Sequence, residues 1–228
     1  MQISDALALI PAWNEGGSIG EVIHSLPKGM QALVVDDGST DSTADVANAA
    51  GSHVISHTTN QGKGVALMTG FAWALENGYI SVLTLDADGQ HDPLEAPKFI
   101  EAFNREGADL IIGRRSTREM PFPRNLANRF SSWLISCALR RKIYDNQSGY
   151  RLHSQKLLQE LEIRRTGFEF EVDVILQTLH HGMKLGWVDI RTIYDAKIKS
   201  HFHPIRDTMK FFAVAWYAYR TYKASRAG

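Results

Sequence analysis

The chain is poor in cysteine and proline and has no excess charge of either sign. Its single cysteine among 228 residues, Cys137, cannot form an internal disulfide or a cysteine-rich zinc site, which favours a reducing compartment. For a lone cysteine we expect a small buried apolar side chain. With only 7 prolines and 44% apolar residues, the chain is neither disordered nor collagen-like, and one packed globular protein is predicted.

Charge is balanced overall but distributed unevenly. The 25 basic side chains equal the 25 acidic ones, so the whole molecule gives no reason to expect nucleic-acid binding. Residues 1–104, however, hold 3 basic and 13 acidic side chains, residues 105–142 hold 9 and 3, and residues 197–228 hold 7 and 1. An acidic N-terminal half therefore precedes two basic segments.

Long hydrophobic runs are also lacking. The longest, residues 211–219, falls far short of the roughly 20 residues that a membrane-spanning helix needs. Residues 1–10 contain Asp5, have no basic region and lead into a strand pattern, so we expect no signal peptide. These features predict a cytoplasmic protein.

What the sequence does contain is an alternation of short apolar runs and amphipathic stretches. The apolar runs predict buried strands at 7–10, 32–35, 54–56, 82–85 and 110–112. Helices are predicted at 18–26, 42–50, 63–76, 130–139 and 171–181, and a further short strand at 187–193. This order is typical of an α/β domain built around a mainly parallel sheet.

Polar turns follow three of these strands, at 11–15, 36–39 and 86–91. Ligands bind at the carboxyl ends of parallel strands, so we expect these carboxylate-bearing turns to meet at one edge of the sheet. Asp86 and Asp88 are two residues apart on an extended segment and can chelate one cation, with Gln90 as a neutral oxygen ligand. Such all-oxygen ligands favour Mg²⁺ or Mn²⁺. Turn formation or helix capping is the alternative for the two carboxylates.

Three further groups suit a phosphorylated ligand. Asp36 and Asp37 can bind a base or ribose, although capping alone is the alternative for Asp37. The glycine-rich turn 60–64, which contains Lys63, lacks the spacing of a P-loop and fits a close approach to a ligand instead. After the fifth strand, a connection at 114–129 can grip a phosphate, with a solvated basic loop as the alternative. Its relevant arginines are Arg114, Arg115, Arg124 and Arg129.

Five motifs in a fixed order carry a family resemblance. They are Ile10-Pro11-Ala12-Trp13-Asn14-Glu15, Val35-Asp36-Asp37-Gly38-Ser39-Thr40-Asp41, Asn60-Gln61-Gly62-Lys63-Gly64, Asp86-Ala87-Asp88-Gly89-Gln90-His91 and Gly113-Arg114-Arg115. Over about residues 5–155 the chain resembles the inverting GT-A glycosyltransferases of family 2, closest to the dolichyl- and polyprenyl-phosphate sugar synthases. The resemblance implies a GT-A domain at 1–203 and a C-terminal helical tail at 204–228.

The resemblance also implies a role for each site residue. The nucleotide would be bound by Pro11, Trp13, Glu15, Asp36, Asp37 and Lys63. Mg²⁺ or Mn²⁺ on the donor diphosphate would be held by Asp86, Asp88 and Gln90. The acceptor phosphate would be held by Arg115, Arg124 and Asn128. Catalysis would depend on Asp88, Arg115 and Arg124.

Departures from the family pattern concern the later part of the chain. The synthases usually carry a late Arg-x-x-Gly-x-Ser-Lys segment, but here Asp195 stands at the arginine position, so Lys197, Lys199 or His201 would take over its phosphate contact. The turn 148–151, Ser-Gly-Tyr-Arg, nevertheless matches the synthases' Ser-Gly-Phe-Arg turn and supports the lipid-phosphate subgroup.

No obvious Glu-Asp base pair precedes Arg151, and this absence favours an acceptor that needs no base. A phosphate monoester, with its second pKa near 6, is already largely a dianion at neutral pH. We therefore expect inverting, metal-dependent transfer of a sugar from a UDP- or GDP-linked donor to dolichyl or undecaprenyl phosphate. A family 2 enzyme for a soluble hydroxyl acceptor or a protein is the alternative, and a non-catalytic nucleotide-sugar-binding protein is a third reading.

The basic tail from Pro204 onward reads as a helix with Phe212, Trp216 and Tyr219 on one stripe. Packing against the domain is one interpretation. The other is a peripheral anchor on the cytoplasmic face of a membrane, with the aromatic side in the interface and the basic side on anionic headgroups.

Overall fold

The protein is organised around one sheet of seven strands, seen here in a computed structural model. The structure describes residues 1–116, 122–162, 170–191, 193 and 215–220, without the side chains of residues 122–124. The strands are β1 (Ala6–Ala12), β2 (Gln31–Asp36), β3 (His53–Ser56), β4 (Ser81–Thr84), β5 (Leu110–Arg115), β6 (Arg151–Ser154) and β7 (Leu185–Ile190). Their order across the sheet is β3-β2-β1-β4-β6-β5-β7.

Helices cover both faces of the sheet. They are α1 (Ile19–His24), α2 (Thr43–Ala49), α3 (Lys63–Glu76), α4 (Ala96–Glu106), α5 (Phe122–Leu139), α6 (Gln155–Glu160) and α7 (Phe170–His180). Two short 3₁₀ turns, Ile3–Asp5 and Pro93–Glu95, precede β1 and α4. The mainly parallel α/β architecture predicted from the apolar runs is confirmed.

Side chains of β1 alternate between two buried cores, which explains why this strand is apolar throughout. Leu7 and Leu9 pack with residues of α3 and α7, whereas Ala8 and Ile10 pack with residues of α1 and α4. A strand buried on both faces has no reason to alternate with polar residues. Helix α3 lies directly on β1 because a side-chain carbon at Gly70 would come within 2.2 Å of a methyl group of Leu9.

Strand β6 is an element that the sequence pattern missed, as are helices α4 and α6. It pairs antiparallel with β4 on one side and with β5 on the other, whereas the remaining neighbours are parallel. Its sequence contains Arg151 and His153, so it does not read as an apolar run, yet all four residues are buried. His153 packs its ring against Phe71, with centroids 4.9 Å apart. The reversed direction brings the start of β6 to the edge of the sheet where β4 and β5 end.

The connection after β5 differs from the predicted loop. Helix α5 begins at Phe122, so Arg124 and Arg129 lie on a helix rather than in a basic loop; residues 117–121 lie outside the described residues. Cys137 on this helix is exposed, which corrects the expectation that it is buried. None of the helices in the described part of the chain has the length and apolarity needed to cross a membrane.

Of the C-terminal tail, the structure describes a helical segment at 215–220. Tyr217 donates a hydrogen bond to Asp173 Oδ1 of α7 at 2.6 Å, and Ala218 is fully buried. Trp216 and Tyr219 point outward, 62% and 43% exposed. The predicted division at residues 203 and 204 lies outside the described residues.

Candidate functional site

A cavity of about 490 Å³ opens where β1, β2 and β4 end. We call it the acidic cavity; its walls are formed by Pro11, Ala12, Trp13, Glu15, Asp37, Asn60, Gly62, Lys63, Ala66, Asp86, Ala87 and Asp88. Most of the residues expected to bind the nucleotide and the metal therefore meet at one place. Asp36 and Gln90 are the two that do not line it: Asp36 accepts a hydrogen bond from the Ser39 N–H at 3.1 Å, and Gln90 contacts Asp88.

The mouth of the acidic cavity is built from two loops that are tied together. Asn14, at a positive φ of 56°, donates its N–H to Ser39 Oγ at 2.8 Å and accepts from the Thr40 N–H at 2.8 Å. The next residue, Glu15, donates its N–H to Thr43 Oγ1 at 2.8 Å. These bonds fix the loop that carries Trp13 and Glu15 relative to the end of β2.

Asp37 organises the turn on the opposite wall. Its Oδ1 contacts His57 Nδ1 at 2.7 Å and accepts from the Gln61 N–H at 3.0 Å, while Oδ2 accepts from the Gly62 N–H at 2.7 Å. Although burial opposes it, these donors lower the pKa of Asp37. Gly38 permits this arrangement, because an added side-chain carbon would lie 2.5 Å from the backbone at Thr59.

Asp86 is paired with a lysine from α3. Lys63 Nζ lies 2.5 Å from Asp86 Oδ1 and 3.4 Å from Glu171 Oε1. Burial opposes the charge of Asp86, but Lys63 and other nearby positive charges hold the pKa of this carboxyl well below its usual range. The backbone at Gly149 packs against the pair, because an added side-chain carbon would lie 2.9 Å from both Nζ and Oδ1.

Asp88 is held in place by the turn that follows it. Its two oxygens accept from the Gln90 N–H at 2.9 Å and from Gln90 Nε2 at 2.7 Å. Burial, together with the negative charges of Asp86 and Glu15, raises the pKa of Asp88. His91 has a structural contact, since its Nδ1 accepts from the Asp86 N–H at 3.1 Å, and burial lowers the pKa of His91 to about 4.

The donor set fits a hard divalent cation that arrives with a diphosphate. Within the described residues, no three His, Cys, Asp or Glu side chains form a metal-holding group. Mg²⁺ and related ions are, however, commonly bound by one or two carboxylates together with substrate phosphates and water. Asp86 and Asp88 supply two such carboxylates on the cavity wall, and a cation there would offset the charge repulsion that raises the pKa of Asp88.

A second cavity, of about 700 Å³, opens where β5 and β7 end. We call it the basic cavity; it is lined by Arg114, Arg115, Ser116, Asn128, Arg129, Tyr144, Asp189 and Ile190. It lies near the acidic cavity, because one short turn reaches both: Asp145 accepts from Arg115, and the backbone at Gly149 packs against Lys63 and Asp86. Two of the three residues expected at the acceptor phosphate are thus brought together. The third, Arg124, lies in the first turn of α5, but its side chain is outside the described part.

Arg115 is buried and tied to a carboxylate that the sequence analysis did not single out. Its Nε and Nη2 donate to Asp145 at 2.7 and 3.0 Å, and Nη2 also lies 3.5 Å from Asn128 Oδ1. Arg114 makes the corresponding two-point contact with Asp189, but its side chain is 41% exposed and that of Asp189 is 71% exposed. Arg115 therefore enters the cavity wall with a fixed orientation.

Arg151 and Glu171 were likewise not identified from the sequence as contributors to the site. Arg151 donates to the carbonyl oxygens of Asn146, Ser148 and Glu171 at 2.9, 2.7 and 2.6 Å. It thereby joins the turn before β6 to the start of α7, and burial lowers its pKa to about 10, so it stays charged at neutral pH. The only sequence signal was the turn 145–151 itself. The segment 195–201, with Lys197, Lys199 and His201, lies outside the described residues.

Comparison with known proteins places this fold and site in a family. The model of glycosyl transferase family 2 matches residues 8–189. A polyprenol monophosphomannose synthase of Mycolicibacterium smegmatis is 32% identical over 81% of this chain and 76% of its own length. An undecaprenyl-phosphate mannosyltransferase of Micrococcus luteus is 32% identical over 81% of this chain and 82% of its own length. The chain belongs to glycosyl transferase family 2 and is a glycosyltransferase.

Solved structures support the same fold. A glucosyl-3-phosphoglycerate synthase of Mycobacterium tuberculosis, crystallised with Mn²⁺, UDP-glucose and phosphoglyceric acid, superposes with a TM-score of 0.72 at 21% identity. The superposition covers 96% of this chain and 79% of that one. The GT-A fold that the motifs implied is thereby confirmed.

Proposed function

We propose that this glycosyltransferase moves a sugar, with inversion, from a nucleotide sugar in the acidic cavity to a polyprenyl phosphate in the basic cavity. The observation that carries the proposal is the pair of neighbouring cavities of opposite charge at one edge of the sheet. Asp86 and Asp88 line the first, and Arg114, Arg115 and Arg129 line the second. The names of the two relatives, a polyprenol and an undecaprenyl phosphate transferase, support this acceptor class.

In the acidic cavity the chain binds and orients the donor. Trp13, Glu15 and Asp37 line the part assigned to the nucleoside, and Lys63 with the N-terminus of α3 faces the diphosphate. Asp86 and Asp88, with Gln90 beside them, would hold Mg²⁺ or Mn²⁺. When bound, the metal would neutralise the charge that develops on the leaving diphosphate.

In the basic cavity the chain positions the acceptor phosphate. One of its oxygens attacks the anomeric carbon; the new carbon–oxygen bond forms as the bond to the diphosphate oxygen breaks, and the nucleoside diphosphate leaves. A phosphate dianion needs no general base, so positioning and charge neutralisation by Arg115 and Arg129 supply the catalysis on this side. Asp145 keeps Arg115 oriented.

The test is nucleoside diphosphate release from a panel of UDP- and GDP-sugars with Mn²⁺ or Mg²⁺. We expect release only when a short-chain polyprenyl phosphate is present, at least tenfold above the rate without acceptor, a ratio of about 1.4 kcal/mol in barrier. Phosphoglyceric acid replaces the lipid in a parallel reaction. Equal release without lipid, or release with phosphoglyceric acid alone, would contradict the acceptor assignment.

A membrane surface is the partner that such an acceptor requires, and α5 presents a face suited to it. Leu126 and Trp133 are 61% and 59% exposed, and Phe130 stacks on Trp133 with centroids 6.0 Å apart. Helix α5 contains no acidic residue; Arg129 is exposed on it, and Arg140 is exposed directly after its last residue. An apolar stripe flanked by basic groups fits an anionic cytoplasmic membrane face, and Asn128 and Arg129 connect the same helix to the basic cavity.

Replacing Trp133 by serine should weaken binding to vesicles containing anionic lipid by about thirtyfold, because burial of a large aromatic side chain contributes about 2 kcal/mol. Co-sedimentation with vesicles measures the effect. Leu94→Ser is the matched control, since Leu94 is 68% exposed next to α4, on the other face of the sheet. Equal weakening by both variants, or none by Trp133→Ser, would remove α5 from the membrane contact.

A further inference from the structure

Lys63 contacts a carboxylate, Asp86, that the metal ion of the proposed donor complex would also bind. Its ammonium lies 2.5 Å from Asp86 Oδ1 and 3.4 Å from Glu171 Oε1. Asp86 is one of the two carboxylates assigned to the metal, so the following inference rests on the proposed donor site. A lysine and a divalent cation cannot both occupy the same oxygen of Asp86, because their charges repel.

The three side chains differ in their freedom to move. The Lys63 side chain is 41% exposed, whereas those of Asp86 and Glu171 are 32% and 19% exposed. Glu171 is anchored at the start of α7, where its carbonyl oxygen accepts from Arg151 at 2.6 Å. Since Gly149 packs against the ion pair from one side, the open direction for Lys63 is the acidic cavity that it lines.

We propose that Lys63 is an exchangeable counter-ion. In the free protein it neutralises Asp86; when a nucleoside diphosphate binds with its metal, Lys63 leaves Asp86 to the metal and its ammonium moves to the diphosphate, while Glu171 remains its carboxylate partner. A metal that binds alone displaces Lys63 from Asp86 and gives the ammonium no new anionic partner. A metal that binds with a diphosphate supplies such a partner. Metal and diphosphate therefore bind together, and Lys63 couples the two events.

The test uses the whole chain and separates the two halves of the exchange. Binding of Mn²⁺ alone is followed by electron paramagnetic resonance, and binding of UDP and of GDP at saturating Mn²⁺ by calorimetry. We expect Lys63→Met to bind Mn²⁺ alone about tenfold more tightly and the nucleoside diphosphate about tenfold more weakly, within the usual range of coupling between sites. A misfolded variant would not give changes of opposite sign.

Two further variants define the mechanism. Lys98→Met removes a lysine that pairs with Glu95 on a distant helix, and both affinities should stay at the wild-type values. Glu171→Gln should weaken Mn²⁺ binding in the wild-type background, because Lys63 then depends on Asp86 alone. The same substitution should have little effect in the Lys63→Met background, because the lysine that Glu171 holds is then absent. Together the variants form a double-mutant cycle, which measures the coupling between the two side chains.

Several results would overturn the exchange. One is a Lys63→Met protein that binds Mn²⁺ no more tightly than the wild type, including the case in which neither protein binds it. Another is tighter Mn²⁺ binding without weaker nucleoside diphosphate binding, because Lys63 would then obstruct the metal without moving to the diphosphate. Failure of the wild type to bind either nucleotide would count against the proposed function, whereas the Mn²⁺ measurement, made without nucleotide, judges Lys63 separately.

Discussion

Replacing Asp88 by alanine is expected to lower kcat/KM for sugar transfer by about a thousandfold, or ~4 kcal/mol of barrier, while the protein stays folded. Asp88 lies on the wall of the acidic cavity, where burial and the charges of Asp86 and Glu15 raise its pKa. Asp88 is one of the two carboxylates that we assign to the metal, so the substitution costs the site a metal ligand. The substitution also removes a charge that partial burial disfavours, and we therefore expect little loss of stability.

Nucleoside diphosphate release measures the effect on turnover, and urea unfolding of the same preparations measures the effect on stability. Asp45→Ala is the matched control, because Asp45 is an exposed aspartate in the first turn of α2. It should leave both quantities unchanged. Near-normal turnover by Asp88→Ala would show that the metal assignment is wrong, and a large drop in unfolding free energy would assign Asp88 a structural role instead.

Asp145→Asn is expected to lower the free energy of unfolding by about 3 kcal/mol, because removing one partner of a buried ion pair leaves the other charge uncompensated. The Asp145 and Arg115 side chains are 1% and 6% exposed and make two hydrogen bonds. Asp145 also accepts the N–H groups of Gln147 and Ser148, so the turn before β6 depends on it.

The pair formed by Arg114 and Asp189 provides the control for this prediction. It has the same two-point geometry, but the Asp189 side chain is 71% exposed, so Asp189→Asn should cost less than about 1 kcal/mol. Urea denaturation measures both variants. Equal costs for the two substitutions would mean that burial does not determine the strength of the pair.

The effect of Asp145 on stability should also depend on pH. Burial opposes its charge, but Arg115 and the hydrogen bonds of the turn lower the pKa of Asp145 below its unfolded value. A carboxylate with a lowered folded-state pKa stabilises the protein above its unfolded pKa, about 3.9, and loses that contribution as the pH falls through the folded-state value. The difference between wild type and Asp145→Asn should therefore be constant from pH 5 to 8 and shrink below about pH 4.

The spacing of apolar residues predicted the strands that are apolar throughout. It missed a strand whose polar residues are buried through contacts with distant parts of the chain. Strand β1 is apolar on both faces because two cores cover it, and this made it recognisable. Strand β6 contains Arg151 and His153, whose burial depends on carbonyl oxygens and a ring from other elements. No local pattern reveals such compensation.

The same distinction holds for the site. The carboxylates of the acidic cavity follow strand ends, so Glu15, Asp37, Asp86 and Asp88 could be placed at one edge from topology alone. Their charge partners come from elsewhere in the chain: Glu171 approaches Lys63 from α7. Asp145 likewise reaches Arg115 across 30 residues of sequence. Spacing along the sequence carries no information about these contacts.

The turn before β6 touches both cavities within a span of a few residues. Asp145 at one end holds Arg115 of the basic cavity, and Gly149 at the other packs against Lys63 and Asp86 of the acidic cavity. This segment therefore connects the walls of the two cavities that we propose for donor and acceptor. We therefore expect a substitution in the turn to change the affinities for the proposed donor and acceptor together, so that selectivity for one is not altered there independently of the other.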